Sequence, residues 1–239
     1  MRAPRALGWP DTRSGRARLV WAAATVASDC QLRVKRGRTG RDKVDMRFDR
    51  LPAFAAWRHR DARDGFEVVF LNPGADGYRL DGVTTAVEDD EAWTVQYTID
   101  LASGWTTRSA RVVGRSLAGN QELRVHADGA GRWHVNGAVA PELDGCLDVD
   151  LESSALTNAF PVHRLRLEIG EQAEAPAAYV RALDLRVERL EQRYLRLDDD
   201  GTRQRYRYSA PRFGFECMLS YDVHGLVLDY PGIAVRAGG

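Results

Sequence analysis

The sequence predicts a predominantly antiparallel, all-β protein with little helix. Two observations point there. Tight-turn dipeptides punctuate the chain: Asp-Gly at 64–65, 76–77, 81–82, 128–129, 144–145 and 200–201, and Asn-Gly at 136–137. Such pairs accept the positive φ angles that two-residue hairpin turns require. Between them, apolar residues recur at every second position, the period of a pleated strand with one buried face.

The strands follow in order. "FEVVFL" (66–71) is the first apolar run. "AWTVQYTIDL" (92–101) sets Trp93, Val95, Tyr97, Ile99 and Leu101 on one face, with Thr94, Gln96, Thr98 and Asp100 on the other. "GWTTRSARVV" (104–113), "QELRVHA" (121–127), "HRLRLEI" (163–169) and "GLVLDY" (225–230) read the same way, and "RFGFECMLSY" (212–221) aligns Phe213, Phe215, Cys217, Leu219 and Tyr221. The segment 178–198 fits two periods. Leu183, Val187, Leu190, Tyr194 and Leu197 have helical spacing, whereas Leu183, Leu185 and Val187 alternate, with a parity change near Glu188–Leu190 that a β-bulge would explain.

The densest chemistry lies in "GCLDVDLESSALTNAFPVHRL" (145–165). Its first part reads as a strand at 145–152, with Leu147, Val149 and Leu151 on one face and Cys146, Asp148, Asp150 and Glu152 on the other. Same-face neighbours on a strand lie about 6.5–7 Å apart. Asp148 and Asp150 could thus flank a ligand, share a hard cation, or form a hydrogen-bonded polar face. Ser153, Ser154, Thr157 and Asn158 read as turn formers, and Pro161 argues against a helix continuing through Phe160. His163 and Arg164 offer an acid and an anion clamp, or simply a structural pair.

Composition bounds the function. The chain has 239 residues and no net formal charge, but residues 1–50 carry 13 Lys and Arg against 5 Asp and Glu, so the remainder is equally acidic. Both lysines, Lys35 and Lys43, lie in that head, and every other basic residue is arginine, the look of a GC-rich coding bias, so nucleic acid is not expected as a partner. We read 1–50 as a basic N-terminal extension, poorly ordered or a mis-called start with Met46 the alternative, and 51–239 as one β domain. Three cysteines, Cys30, Cys146 and Cys217, with no C-x-x-C pair, fit a reduced cytoplasmic setting better than a disulfide framework or a zinc site. The apolar run Leu19–Ser28 behind arginines has the look of a signal-peptide core but lacks an A-x-A cleavage pattern. No run approaches the ~18 apolar residues of a membrane span.

Catalytic and cofactor signatures are weak throughout. "GRSLAG" (114–119) misses the G-x-S-x-G spacing by one residue, and there is no nucleotide-binding glycine loop and no H-E-x-x-H. His59, His126, His134 and His224 have no metal-ligand spacing, so neither metal nor cofactor is expected. Trp57, Trp93, Trp105 and Trp133, with Tyr78, Tyr97, Tyr194, Tyr206, Tyr208 and Tyr230, are either core strand residues or the lining of a cavity for sugar rings and acyl chains.

"GRWHVNGAVAPELDGCLDVDLESSALTNAFPVHRL" (131–165), with "YTIDLASGWTTRSARV" (97–112), "EQRYLRL" (191–197) and "GLVLDYPGIAVR" (225–236), resembles the signature of the bacterial glycolipid-binding family. The resemblance spans 54–236. It implies one antiparallel domain rolled into an incompletely closed β-barrel, similar to bacterial lipoprotein carriers that hold acyl chains in a greasy hollow. It also favours strands over a helix for 178–198, and it supplies no catalytic residues to transfer. The expected function is non-catalytic binding of an amphipathic small molecule, glycolipid-like or acyl-bearing. Its apolar half would sit among Trp93, Tyr97, Trp105 and Trp133, and its head would meet Arg108, Asp148, Asp150, Asn158, His163 and Arg164. Two alternatives stand beside it: a small-molecule hydrolase or isomerase using Asp148, Asp150 and His163, and a structural or partner-binding β domain.

Overall fold

The computed structural model describes residues 48–238, so the basic extension lies almost wholly outside the described residues. From Phe54 the chain runs as an up-and-down meander. Its strands are β1 (Phe54–His59), β2 (Asp64–Gly74), β3 (Gly77–Glu88), β4 (Glu91–Ala102), β5 (Thr107–Ser116), β6 (Gly119–Ala127), β7 (Trp133–Val135) and β8 (Ala138–Val139), each antiparallel to the next. Alternation decides which face is buried. Trp93, Val95, Tyr97, Ile99 and Leu101 of β4 are all buried, as are Leu123, Val125 and Ala127 of β6. Burying each large apolar side chain contributes about 1.5–3 kcal/mol.

Two Asp-Gly pairs do not make hairpin turns. Asp64–Gly65 opens β2, and Asp81–Gly82 lies inside β3. Gly82 pairs with Tyr97 on β4, and a Cβ there would fall 2.2 Å from the Tyr97 ring. The glycine is thus a clearance for that ring, not a turn former. The β3–β4 hairpin instead turns on Asp89 and Asp90, at φ 50° and 63°. Aspartate reaches this left-handed region more readily than most non-glycine residues.

After β8 the chain leaves the outer sheet and fills its hollow. It forms β9 (Asp148–Leu151), a 3-10 turn (Leu156–Asn158) and α1 (Ala159–Leu165). It then touches the outer sheet with β10 (Gln172–Glu174), returns inward as β11 (Ala177–Val180) and β12 (Val187–Leu190), and rejoins the outer sheet as β13 (Arg193–Asp200). The inner sheet has the order β12-β11-β9, and the β9–β11 pair is parallel. Three expectations are corrected here. Residues 163–165 are helical, and the expected strand 163–169 is absent. Pro161 sits in the first turn of α1, where its missing N–H costs no intrahelical bond. In 178–198 the parity change marks the passage from inner to outer sheet, so three strands, β11, β12 and the start of β13, replace the expected bulged one.

The outer sheet continues with β14 (Arg203–Ala210), β15 (Phe215–Tyr221), β16 (Val227–Tyr230) and β17 (Ala234–Arg236). β17 pairs with β1, so fourteen strands run in the order β10-β13-β14-β15-β16-β17-β1-β2-β3-β4-β5-β6-β7-β8. The terminal strands β10 and β8 do not pair, and the roll stays open. Trp57 fixes the β1–β17 region by donating its indole N–H to the Val227 carbonyl at 2.8 Å.

Candidate functional site

The inner segment is fastened to the N-terminal half of the sheet largely through its main chain. Thr84 donates to the Ser153 carbonyl at 2.8 Å, and the Val149 N–H donates to Thr107 Oγ1 at 2.9 Å. Trp133 Nε1 donates to the Cys146 carbonyl at 2.9 Å. Glu67, wholly buried on β2, accepts from the Tyr97 hydroxyl at 2.6 Å, the Ala155 N–H at 2.8 Å and the Ser154 hydroxyl. Burial pushes the Glu67 carboxyl above its ordinary pKa, and these donors pull it back.

The residues singled out from the sequence are scattered by this arrangement. Tyr97 and Trp133 are spent on the contacts just described. Trp105, at φ 67°, stacks on His163 with centroids 3.6 Å apart, and Phe48 covers the same imidazole. Burial lowers the His163 pKa to about 3. Asp148 takes both Nε and Nη2 of Arg164, a bidentate pair buried inside the molecule. Burial outweighs that pairing, and the Asp148 carboxyl is raised. Both faces of β9 are buried, and Asp148 and Asp150 form a hydrogen-bonded polar face inside the molecule. No hydrogen bond among the described residues joins Asp148, Asp150 and His163. Arg108 lies on the opposite, outer face, in an open groove of about 410 Å³ with Tyr78, Arg79, Asp100 and His126.

Asp150 and Asn158 come together at a second concavity. This cleft, about 30 Å³, runs between the inner sheet and strands β14–β16 and holds one or two waters. One wall is aromatic: Tyr208, Phe213, Phe215 and Tyr230, with Tyr208 and Tyr230 centroids 6.0 Å apart. The other is polar. Asp150 accepts from Thr157 Oγ1 at 2.7 Å and Gln192 Nε2 at 2.5 Å, while Asn158 Oδ1 accepts from the Tyr194 hydroxyl at 3.0 Å. Burial raises the Asp150 pKa to about 6. Arg63, from the β1–β2 connection, also lines the cleft and lies over the Trp93 ring at 5.2 Å.

Sequence reasoning missed Arg63, Tyr179, Phe213, Phe215 and Ile233 as cleft residues. The alternation around Phe213, Phe215 and Tyr208 placed them on strand faces, but only the sheet order brings them opposite β9. Nothing in "HRDARDG" (59–65) distinguishes the one buried arginine from its exposed neighbour Arg60.

An open antiparallel β-roll whose hollow is occupied by its own chain, with a narrow amphipathic cleft along one side, defines the structural class. Within it, residues 54–236 match the family described as "Putative glycolipid-binding", and the chain belongs to that family. It is similar to the crystal structure of a DUF1089 family protein from Pseudomonas aeruginosa. The two share 32% identity at a TM-score of 0.63, covering 79% of this chain and 100% of that one. A β-barrel-like protein of the domain of unknown function DUF1849 from Brucella abortus aligns over 77% of this chain and 92% of its own. Its 13% identity and TM-score of 0.42 are too low to build on. No curated protein matches the chain. Among the described residues no helix is long and apolar enough to cross a membrane, and no three His, Cys, Asp or Glu side chains gather as metal ligands.

Proposed function

We propose that this chain is a non-catalytic binding module for an amphipathic small molecule, acyl-bearing or glycolipid-like, and that the ligand enters the cleft between β9 and the aromatic wall. The observation that supports this is the mixed lining of one cleft: Tyr208, Phe213, Phe215 and Tyr230 on one side, and Asp150, with Tyr179 beside it on the inner sheet, Asn158 and Arg63 on the other. Aromatic faces suit an alkyl chain or the apolar face of a sugar, and convergent polar groups orient a head. The family's description points the same way.

About 30 Å³ does not hold an acyl chain, so binding requires the wall to move. Phe213 and Phe215 are the movable members. They are half-buried and flank Gly214, which sits at φ 60° between a 3-10 turn and β15. Outward rotation of these rings would lengthen the cleft along the β14–β15 hairpin without disturbing the hydrogen bonds of the opposite seam.

The test is titration with dodecyl amphiphiles, followed by intrinsic fluorescence and native mass spectrometry. Saturable binding is expected in the native chain. Ala210→Leu, which fills the cleft, should abolish it, and Arg108→Ala in the outer groove should leave it intact. Binding that survives Ala210→Leu and fails with Arg108→Ala would move the site to the outer groove. A native chain that binds no amphiphile would end the proposal.

A further inference from the structure

The chemistry that the cleft leaves unanswered gathers around Arg63. Its guanidinium is buried, with its side chain 3% exposed. Only Nη2 is hydrogen bonded, to the Glu152 carbonyl at 3.2 Å; Nε and Nη1 have no acceptor. Glu88 stands 3.8 Å from Nε, beyond hydrogen-bond reach, and burial raises its carboxyl, which weakens it as a counter-ion. The other nearby carboxylates are committed elsewhere. Glu152 accepts from Arg181 Nη1 and the Ala182 N–H, and Asp150 accepts from Thr157 and Gln192. Burial, reinforced by the nearby Arg63 guanidinium, lowers the His59 pKa to about 4. The Trp93 ring lies beneath the guanidinium, 5.2 Å away, with its N–H directed to Glu88.

A buried charged donor with two unmet N–H groups carries a desolvation cost of several kcal/mol unless an acceptor is supplied. The unmet Arg63 atoms are both donors, which calls for an acceptor-rich group rather than a donor. Arginine's planar fork matches two oxygens of one anion. On the reading that the cleft takes an amphipathic ligand, we infer that Arg63 selects an anionic head, a carboxylate or a phosphate. The head oxygens take Nε and Nη1, and the tail runs along Tyr208 and Tyr230. His59 stays neutral and offers one further N–H.

The experiment holds the tail constant and varies the head: dodecanoate, dodecyl phosphate and the neutral dodecyl glucoside, each titrated into the full chain. Both anions are expected to bind at least about tenfold more tightly than the glucoside, and the stronger of the two identifies the head chemistry. Arg63→Met should remove that margin and leave glucoside affinity within about twofold. Arg63→Lys, which keeps the charge but not the fork, should retain only part of it. Thermal unfolding of each variant checks that the fold persists. If the glucoside binds as tightly as the anions, or Arg63→Met retains the anion preference, the inference fails while the cleft remains a binding site. If none of the three amphiphiles binds, both readings fall together.

Discussion

The two flanks of the inner segment are held differently. Towards β2–β7 the contacts are mostly to backbone: the Ser153 and Cys146 carbonyls and the Val149 and Ala155 N–H groups each meet a buried side chain of the outer sheet, with the Ser154 hydroxyl on Glu67 the exception. Towards β13–β16 the contacts come mostly through side chains, Tyr194 to Asn158 and Gln192 to Asp150, with the Tyr221 hydroxyl on the Asn158 carbonyl the exception at 3.1 Å. A seam with main-chain groups on one side has half as many rotatable partners as one built on rings and side-chain amides on both sides. That difference explains why the cleft lies on the C-terminal flank, and it divides the hollow into a fixed half and an adjustable one.

The contrast can be broken most forcefully at Trp133. Trp133→Ala removes a fully buried indole and strands the Cys146 carbonyl, and urea unfolding should show a loss of about 3–5 kcal/mol. Arg164→Met comes next. It leaves the Asp148 carboxylate buried without its partner, and a loss of about 3 kcal/mol is expected at neutral pH, most of it restored by adding Asp148→Asn. A full loss that the second substitution does not relieve would show that Arg164 acts through packing instead.

Asp150 tests the adjustable side through pH. Its folded pKa of about 6 lies above the unfolded 3.8, so the folded chain holds the extra proton between those values. The associated stability is fully present below about pH 4 and is lost as pH rises through about 6, a difference of up to about 3 kcal/mol. His59 and His163 work in the opposite sense. Their folded values of about 4 and about 3 lie below 6.5, so their contribution is lost on acidification. Comparing native and Asp150→Asn stability at matched pH cancels the histidines. The variant should gain on the native chain as pH rises from 4 to 6, and a pH-independent difference would refute the assignment.

The smallest effects compare the seams directly. Thr84→Val leaves the Ser153 carbonyl without its donor, Tyr221→Phe removes one of the bonds to the Asn158 carbonyl, and each should cost about 1 kcal/mol. Their amide exchange should differ, however, with Thr84→Val loosening Ser154 and Ala155 and Tyr221→Phe loosening the start of α1.

Strand periodicity was legible because it depends only on which face each residue takes. The alternation of β4, β6 and β15 therefore survives in the structure. The helix α1 was illegible for a physical reason. Seven residues give too short a stretch to show a period, and Ala159–His163 are buried on every side, which removes the polar face that marks an amphipathic helix. The acidic alternation of 146–152 was read correctly as a strand pattern but not as a doubly buried one, because Asp148 and Asp150 find their partners at Arg164 and Gln192, positions set by tertiary folding. Arg63 lies in a polar loop, and its burial follows from β16–β17 and β9 closing over it, contacts that no local window contains.

The open roll has one more consequence. A sheet that does not close must end somewhere, and a bare edge invites another strand to pair with it. Here the two ends are β8, two residues long, and β10, three residues long, placed on either side of the inner segment. The long strands beside them are covered only in part: β7 pairs with Val125–Ala127 of β6, and β10 with Arg193–Leu195 of β13. A foreign strand arriving at either margin therefore meets a stepped edge and not one long straight register.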